Sequence, residues 1–123
     1  MQDSGQSGEP RLMVEDMAGA KLVLLTDRKI LDEINITQIG QELARLVAES
    51  DTPKIIVDFG NVAHMSSSAL GMLITLHKRV AEKKGQLRFC NIQPSIHEVF
   101  VITRLNEIFR IHQSRAEAVE SLQ

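Results

Sequence analysis

Three hydroxyls in a row, in the stretch HMSSSALG from His64 to Gly71, stand where an apolar run gives way to helical periodicity. Serines at such a junction can serve in three ways. A hydroxyl can cap the helix by accepting from the exposed amides of its first turn. It can be a nucleophile on a strand-to-helix elbow, but that elbow needs glycines two residues to either side. Around Ser67 those positions hold Met65 and Ala69, and around Ser66 they hold His64 and Ser68. Acyl-transfer catalysis is therefore not expected, and the chain reads as a non-enzyme. The third use is as a phosphate acceptor, because a phosphate at the positive end of a helix meets unpaired amides and a favourable field. Cap and acceptor are compatible roles. Ser66 is the better cap and Ser67 the better acceptor, ahead of Ser66 and Ser68.

Other chemistry-bearing residues point to structure. VDFG at Val57 to Gly60 looks like a kinase magnesium motif, but 123 residues lack the glycine loop and catalytic loop that motif serves. Asp58 is expected to pair, or to cap the next turn. His64, His77, His97 and His112 show no metal-ligand spacing, so no metal is expected. No glycine-rich phosphate loop is present, and no cofactor is expected either. The one cysteine, Cys90, lies in the apolar run LRFCNI without a partner for a disulfide. It is expected to be buried and inert in a reducing, cytoplasmic setting.

The elements that must position the serines follow from periodicity. Residues 1–10 are polar and rich in Gly, Ser and Gln, which predicts a flexible leader; residues 11–123 form the domain. Strands are predicted over 11–15 and 21–26, joined by a turn at MAGA as a hairpin. Asn35, with Gln38 three residues on, is expected to cap a helix running to about Ser50. KIIVDF is apolar on both faces and reads as the central strand. The helix after the serines places Ala69, Met72, Leu73, Leu76 and Val80 on one face, with Gly85 as its stop. QLRFCNI is a further strand, capping boxes at Ser95 and Ser114 open two more helices, and EIFRIH between them is a short last strand. This alternation predicts an α/β fold: a mixed sheet of about five strands covered by about four helices. The net charge of −2 offers no cationic face for nucleic acid, and no run approaches a membrane span.

The string IIVDFGNVAHMSSSALGMLITLHKRV resembles the signature of the STAS domain in the bacterial anti-sigma factor antagonists. Asp58 and Phe59 match the strand end, and Ser67, Ser68, Leu70 and Gly71 match the core of the motif Asp-Ser-Ser/Thr-Gly-Leu-Gly. ILDEINITQIGQEL looks like the family's loop running into its first helix. Ser66 stands where the family has Asp, and Ala69 where it has Gly. The resemblance implies a single STAS-like domain whose Ser67 is the phosphoacceptor, with Asp32, Ser66, Ser67, Ser68 and Leu70 lining the partner surface. The implied partner is an anti-sigma factor with a histidine-kinase-like ATPase fold, a serine kinase whose phosphorylation switches the antagonist off. The two departures leave open a non-switching scaffold that binds other STAS proteins in a larger signalling assembly.

Overall fold

The computed structural model describes residues 11–122; the leader expected over 1–10 lies outside the described residues. The chain opens with a hairpin, β1 (Leu12–Met17) and β2 (Ala20–Leu25), paired in antiparallel register from Leu12 opposite Leu25 to Met17 opposite Ala20. Its two-residue loop is Ala18 and Gly19, with φ of 54° and 84°. Positive φ at both loop residues is what a tight hairpin needs to match the strand twist.

The main sheet then grows by parallel pairing. β4 (Lys54–Asp58) lies between β2 and β6 (Gln86–Cys90), and β7 (Arg110–His112) closes the edge, giving the order β1-β2-β4-β6-β7. KIIVD is thus the central strand, as its apolar run implies. Ile55 and Val57 enter the larger core, while Ile56 enters a smaller one on the opposite face. Helices α1 (Glu33–Ala48) and α2 (Ser67–Glu82) contribute Ile39, Leu43, Leu73 and Leu76 to the larger core. All four phenylalanines gather there, with the centroids of contacting rings from 4.6 to 6.3 Å apart. Helix α3 (Pro94–Ile102) adds Ile96 and Phe100. Helix α4 (Arg115–Glu120) brings Ala118 onto Ala20, Leu22, Ile56 and Cys90.

Several boundaries differ from the sequence expectation. Asn35 is not the cap of α1: Asp32 is, its carboxylate accepting from the Ile34 amide at 2.8 Å. Ser95 caps nothing; α3 starts at Pro94, whose fixed φ suits a first turn, and the Ser95 hydroxyl donates to the Ala63 carbonyl. The segment EIFRIH is only half strand, because Leu105–Glu107 form a 3-10 turn. At Ser114 the expected cap is present, accepting from the Glu117 amide at 3.1 Å, while Glu117 reaches back to the Gln113 amide. Gly85 does follow α2, but the left-handed residue is Lys84, with φ 56°. Glycine is needed at 85 for a different reason: a Cβ there would lie 2.2 Å from the Pro53 carbonyl oxygen.

Two short strands were not legible in the pattern. β3 (Lys29–Ile30) and β5 (His64–Met65) pair in parallel as a separate two-stranded sheet, with Lys29 opposite His64 and Ile30 opposite Met65.

Candidate functional site at the paired helix starts

That small sheet builds the site. Residues following β3 enter α1, residues following β5 enter α2, and parallel pairing places the two helix starts side by side. The register is fixed by the Ala63 and His64 amides donating to the Arg28 carbonyl and the Ser66 amide donating to the Ile30 carbonyl. Both helices therefore turn their positive ends toward one patch of surface.

The loop before the serines is anchored from beneath. Asp58 is buried at the end of β4; its carboxylate accepts from the Gly60 amide at 2.8 Å, from Asn91 Nδ2 at 3.1 Å and from Arg115 Nε at 2.6 Å. It both pairs and caps, as its position at the strand end suggests. The bond to Asp58 holds the Arg115 guanidinium above its ordinary pKa. Gln93 Nε2 adds a bond to the Gly60 carbonyl at 2.9 Å. Phe59, fully buried, fixes the chain between these polar contacts.

Within the triplet the three hydroxyls have separate fates. Ser66 is the N-cap of α2, extended at φ −87° and ψ 169°, and its Oγ accepts from the Ala69 amide at 3.2 Å. Ser68 Oγ donates to Glu33 Oε2 across the helix pair at 2.7 Å. Ser67, the first residue of α2, is exposed, and its hydroxyl has no hydrogen-bond partner among the described residues. The amides of the first helical turn have no intrahelical acceptor, so this free hydroxyl sits beside free donors.

The expected partner residues do not all reach the surface. Asp32, Ser67 and Ser68 are exposed and Ser66 is half-buried. Leu70 is a correction: it is 8% exposed and belongs to the core, because the fourth residue of α2 turns inward with Ala69 and Leu73. The apolar exposure at the site comes instead from the entry into α1, where Leu31, just before the cap, is 50% exposed and Ile34, in the first turn, 68%. A groove of about 330 Å³ runs between the helices, with Glu33 and Ser68 at one end and Arg79 at the other. Leu31, Glu33 and Ile34 flank Asp32 in the string ILDEIN. Their only sequence signal was two large apolar residues bracketing a pair of acids at a helix start.

Elsewhere the chemistry is quiet. Cys90 is fully buried, and burial, with Asp58 nearby, pushes its thiol up to about 12; the neutral form is unreactive. Among the described residues no three His, Cys, Asp or Glu side chains are grouped to hold a metal ion. No helix there is long and apolar enough to cross a membrane.

Comparison with known proteins gives a consistent picture. The chain is 28% identical over 89 residues to BtrV of Bordetella bronchiseptica, named as a candidate anti-sigma factor antagonist, covering 72% of this chain and 76% of that one. It superposes on an anti-sigma factor antagonist (STAS) domain protein from Planctomyces limnophilus with a TM-score of 0.82 at 20% identity, covering 89% and 96% of the two chains. The Bacillus cell fate determinant SpoIIAA in its phosphorylated form matches with a TM-score of 0.68 at 17% identity, covering 89% and 96%. At these identities the solved structures attest the fold: an α/β domain with a five-stranded mixed sheet and four helices. The family model described as STAS domain matches residues 16–118, nearly the whole described chain, and the chain therefore belongs to the STAS domain family.

Proposed function

We propose that this protein is an anti-sigma factor antagonist that binds an anti-sigma factor through the paired helix starts and is released when Ser67 is phosphorylated. The observation that carries the reading is the partition of the triplet: Ser66 caps, Ser68 is engaged by Glu33, and Ser67 alone is exposed with a free hydroxyl. The names of BtrV and of the Planctomyces domain, and the phosphorylated state in which SpoIIAA was solved, support the same reading.

The unmodified surface offers the neutral Ser66 and Ser67 beside the exposed apolar side chains of Leu31 and Ile34, with Asp32 between them. Apolar contact drives association there, and the two helix starts give it shape. A phosphate on Ser67 adds about 1.5 to 2 negative charges at pH 7. Meeting a partner carboxylate or a dry apolar patch, that charge weakens binding; a hundredfold loss requires about 2.7 kcal/mol. No rearrangement of the domain is required. The partner is a serine kinase of the histidine-kinase-like ATPase fold, the protein works in the cytoplasm, and its own role is binding rather than catalysis.

The family departures are compatible with the switch. Ser66 makes the capping bond that an Asp would make, and the Ala69 methyl is fully buried in the core. Incubation with the partner kinase and ATP, followed by intact-mass and site mapping, tests the proposal: one phosphate on Ser67 is expected, and none on the triplet overturns the switch. In that case the non-switching scaffold is the reading that stands, and capture of other STAS proteins without a kinase would support it.

A further inference from the structure

We propose that Glu33 decides which serine of the triplet carries phosphate, by making position 68 hostile to it and leaving position 67 as the acceptor. The inference rests on reading the triplet as a phosphate acceptor.

Ser67 and Ser68 are neighbours on the first turn of α2, and both are exposed. The helix field and the local sequence treat them nearly alike. The difference comes from the other helix. Glu33, the first residue of α1, holds a carboxylate oxygen 2.7 Å from Ser68 Oγ, a length typical of a hydroxyl bonded to an ionised acceptor. Ser67 has no such neighbour within hydrogen-bond distance, and Asp32 commits its carboxylate to the Ile34 amide.

The transfer itself shows why this matters. A seryl Oγ bonds to the γ-phosphorus of ATP as the bond from that phosphorus to the bridging oxygen breaks. ADP leaves with the electron pair, and the seryl proton passes to a base of the kinase or to water. The transition state is loose, with charge spread over the peripheral oxygens, and it is stabilised by positioning and electrostatics. A carboxylate touching Ser68 therefore acts chiefly as a like charge against the arriving phosphoryl group and against the phosphoserine dianion that would remain. The same bond also ties the two helix starts together, so a phosphate at 68 must break that tie. At 67 the phosphate meets only solvent and the open amides of the first turn.

The test uses the full chain with phosphoserine encoded genetically at position 67 or 68, in the native and Glu33→Gln backgrounds. Thermal unfolding of each is compared with its own unmodified parent. Phosphoserine at 68 is expected to lower Tm by about 5 °C in the native background, against a shift of less than about 2 °C at 67. Glu33→Gln keeps an acceptor for Ser68 without the charge and is expected to remove most of the loss at 68; Glu33→Ala serves as a second uncharged background. Equal Tm values for the two phosphoforms, or a loss at 68 that persists without the Glu33 charge, overturn the proposal. These melts need no kinase, so they judge Glu33 separately from the mass measurement that judges Ser67.

Discussion

Ser66 shows how one hydroxyl can be committed to the fold beside a neighbour whose hydroxyl is left free. Its hydroxyl is committed to the Ala69 amide, so Ser66→Ala is expected to destabilise the fold by about 1 kcal/mol in chemical denaturation. Ser67→Ala, which removes an unpartnered hydroxyl, is expected to change stability by less than about 0.5 kcal/mol. The same denaturation series measures both, and equal losses would contradict the division of labour. Cys90 gives a pH signature at the same scale. Its thiol ionises at 9.0 ordinarily and at about 12 in the folded chain. The unfolded chain therefore releases that proton first as pH rises, and stability falls from pH 9 toward 12. Denaturation midpoints of the native chain and Cys90→Ala should separate progressively across that window, while a constant separation would count against the assignment. The chemistry of single residues was partly legible in advance: the junction marked Ser66 as the cap, and the apolar context of Cys90 announced burial. Glu33 was not legible, because its contact with Ser68 crosses 35 residues of sequence.

Among the elements, α2 combines support and presentation. Its inward face carries Ala69, Leu70, Leu73, Leu76 and Val80, and its outward face leaves Gly71 exposed with nothing within 4 Å of where a Cβ would stand. Gly71→Ala is expected to stabilise the isolated domain by roughly 0.5 to 1 kcal/mol through helix propensity. Gly71 also lines the groove between α1 and α2, so the same change should weaken binding of the proposed anti-sigma factor partner if one of its side chains enters there. A thermal melt and a titration of one preparation read the two effects separately. Helices with a strong apolar stripe were legible from periodicity, and the strand KIIVD from its unbroken apolar run. What escaped was short. β3 and β5 hold two residues each, too few to show a period, and their pairing is decided by tertiary placement. The cap of α1 escaped because Asp32 and Asn35 are both good caps, and the backbone geometry at Asp32 decides between them.

Across the whole molecule the two faces of the sheet are unequal. One carries α1, α2, α3 and every phenylalanine; the other carries the six-residue α4 over a small cluster. Two arginines compensate for that thin cover. Arg115 bonds to the buried Asp58, and Arg88 Nε donates to Ser121 Oγ at 2.7 Å. Burial lowers the Arg88 pKa, with Arg110 adding to the effect. Arg115→Met is expected to cost roughly 2 kcal/mol in chemical denaturation: less than the 3 to 5 kcal/mol of a fully buried pair, because the Arg115 side chain is 37% exposed and Asp58 retains Gly60 and Asn91. Slower or unchanged hydrogen exchange in the loop at Gly60 to His64 would show that this ion pair does not restrain it. The strand and helix alternation was enough to foresee the mixed sheet, but nothing local joins Asp58 to a residue 57 positions away.

The pairing of Lys29 with His64 has a consequence for how a partner can recognise this protein. Neither helix start owns the surface; it exists only when two distant stretches of chain have met, and a peptide cut from His64 to Glu82 would carry the serines and α2 without Glu33, Ile34 or the rest of α1. A kinase that requires both edges would modify the folded chain and ignore a nascent or unfolded one. Phosphorylation would then report on the integrity of the domain as well as its history, and the comparison of peptide with intact chain as substrates would show whether the address is a motif or a shape.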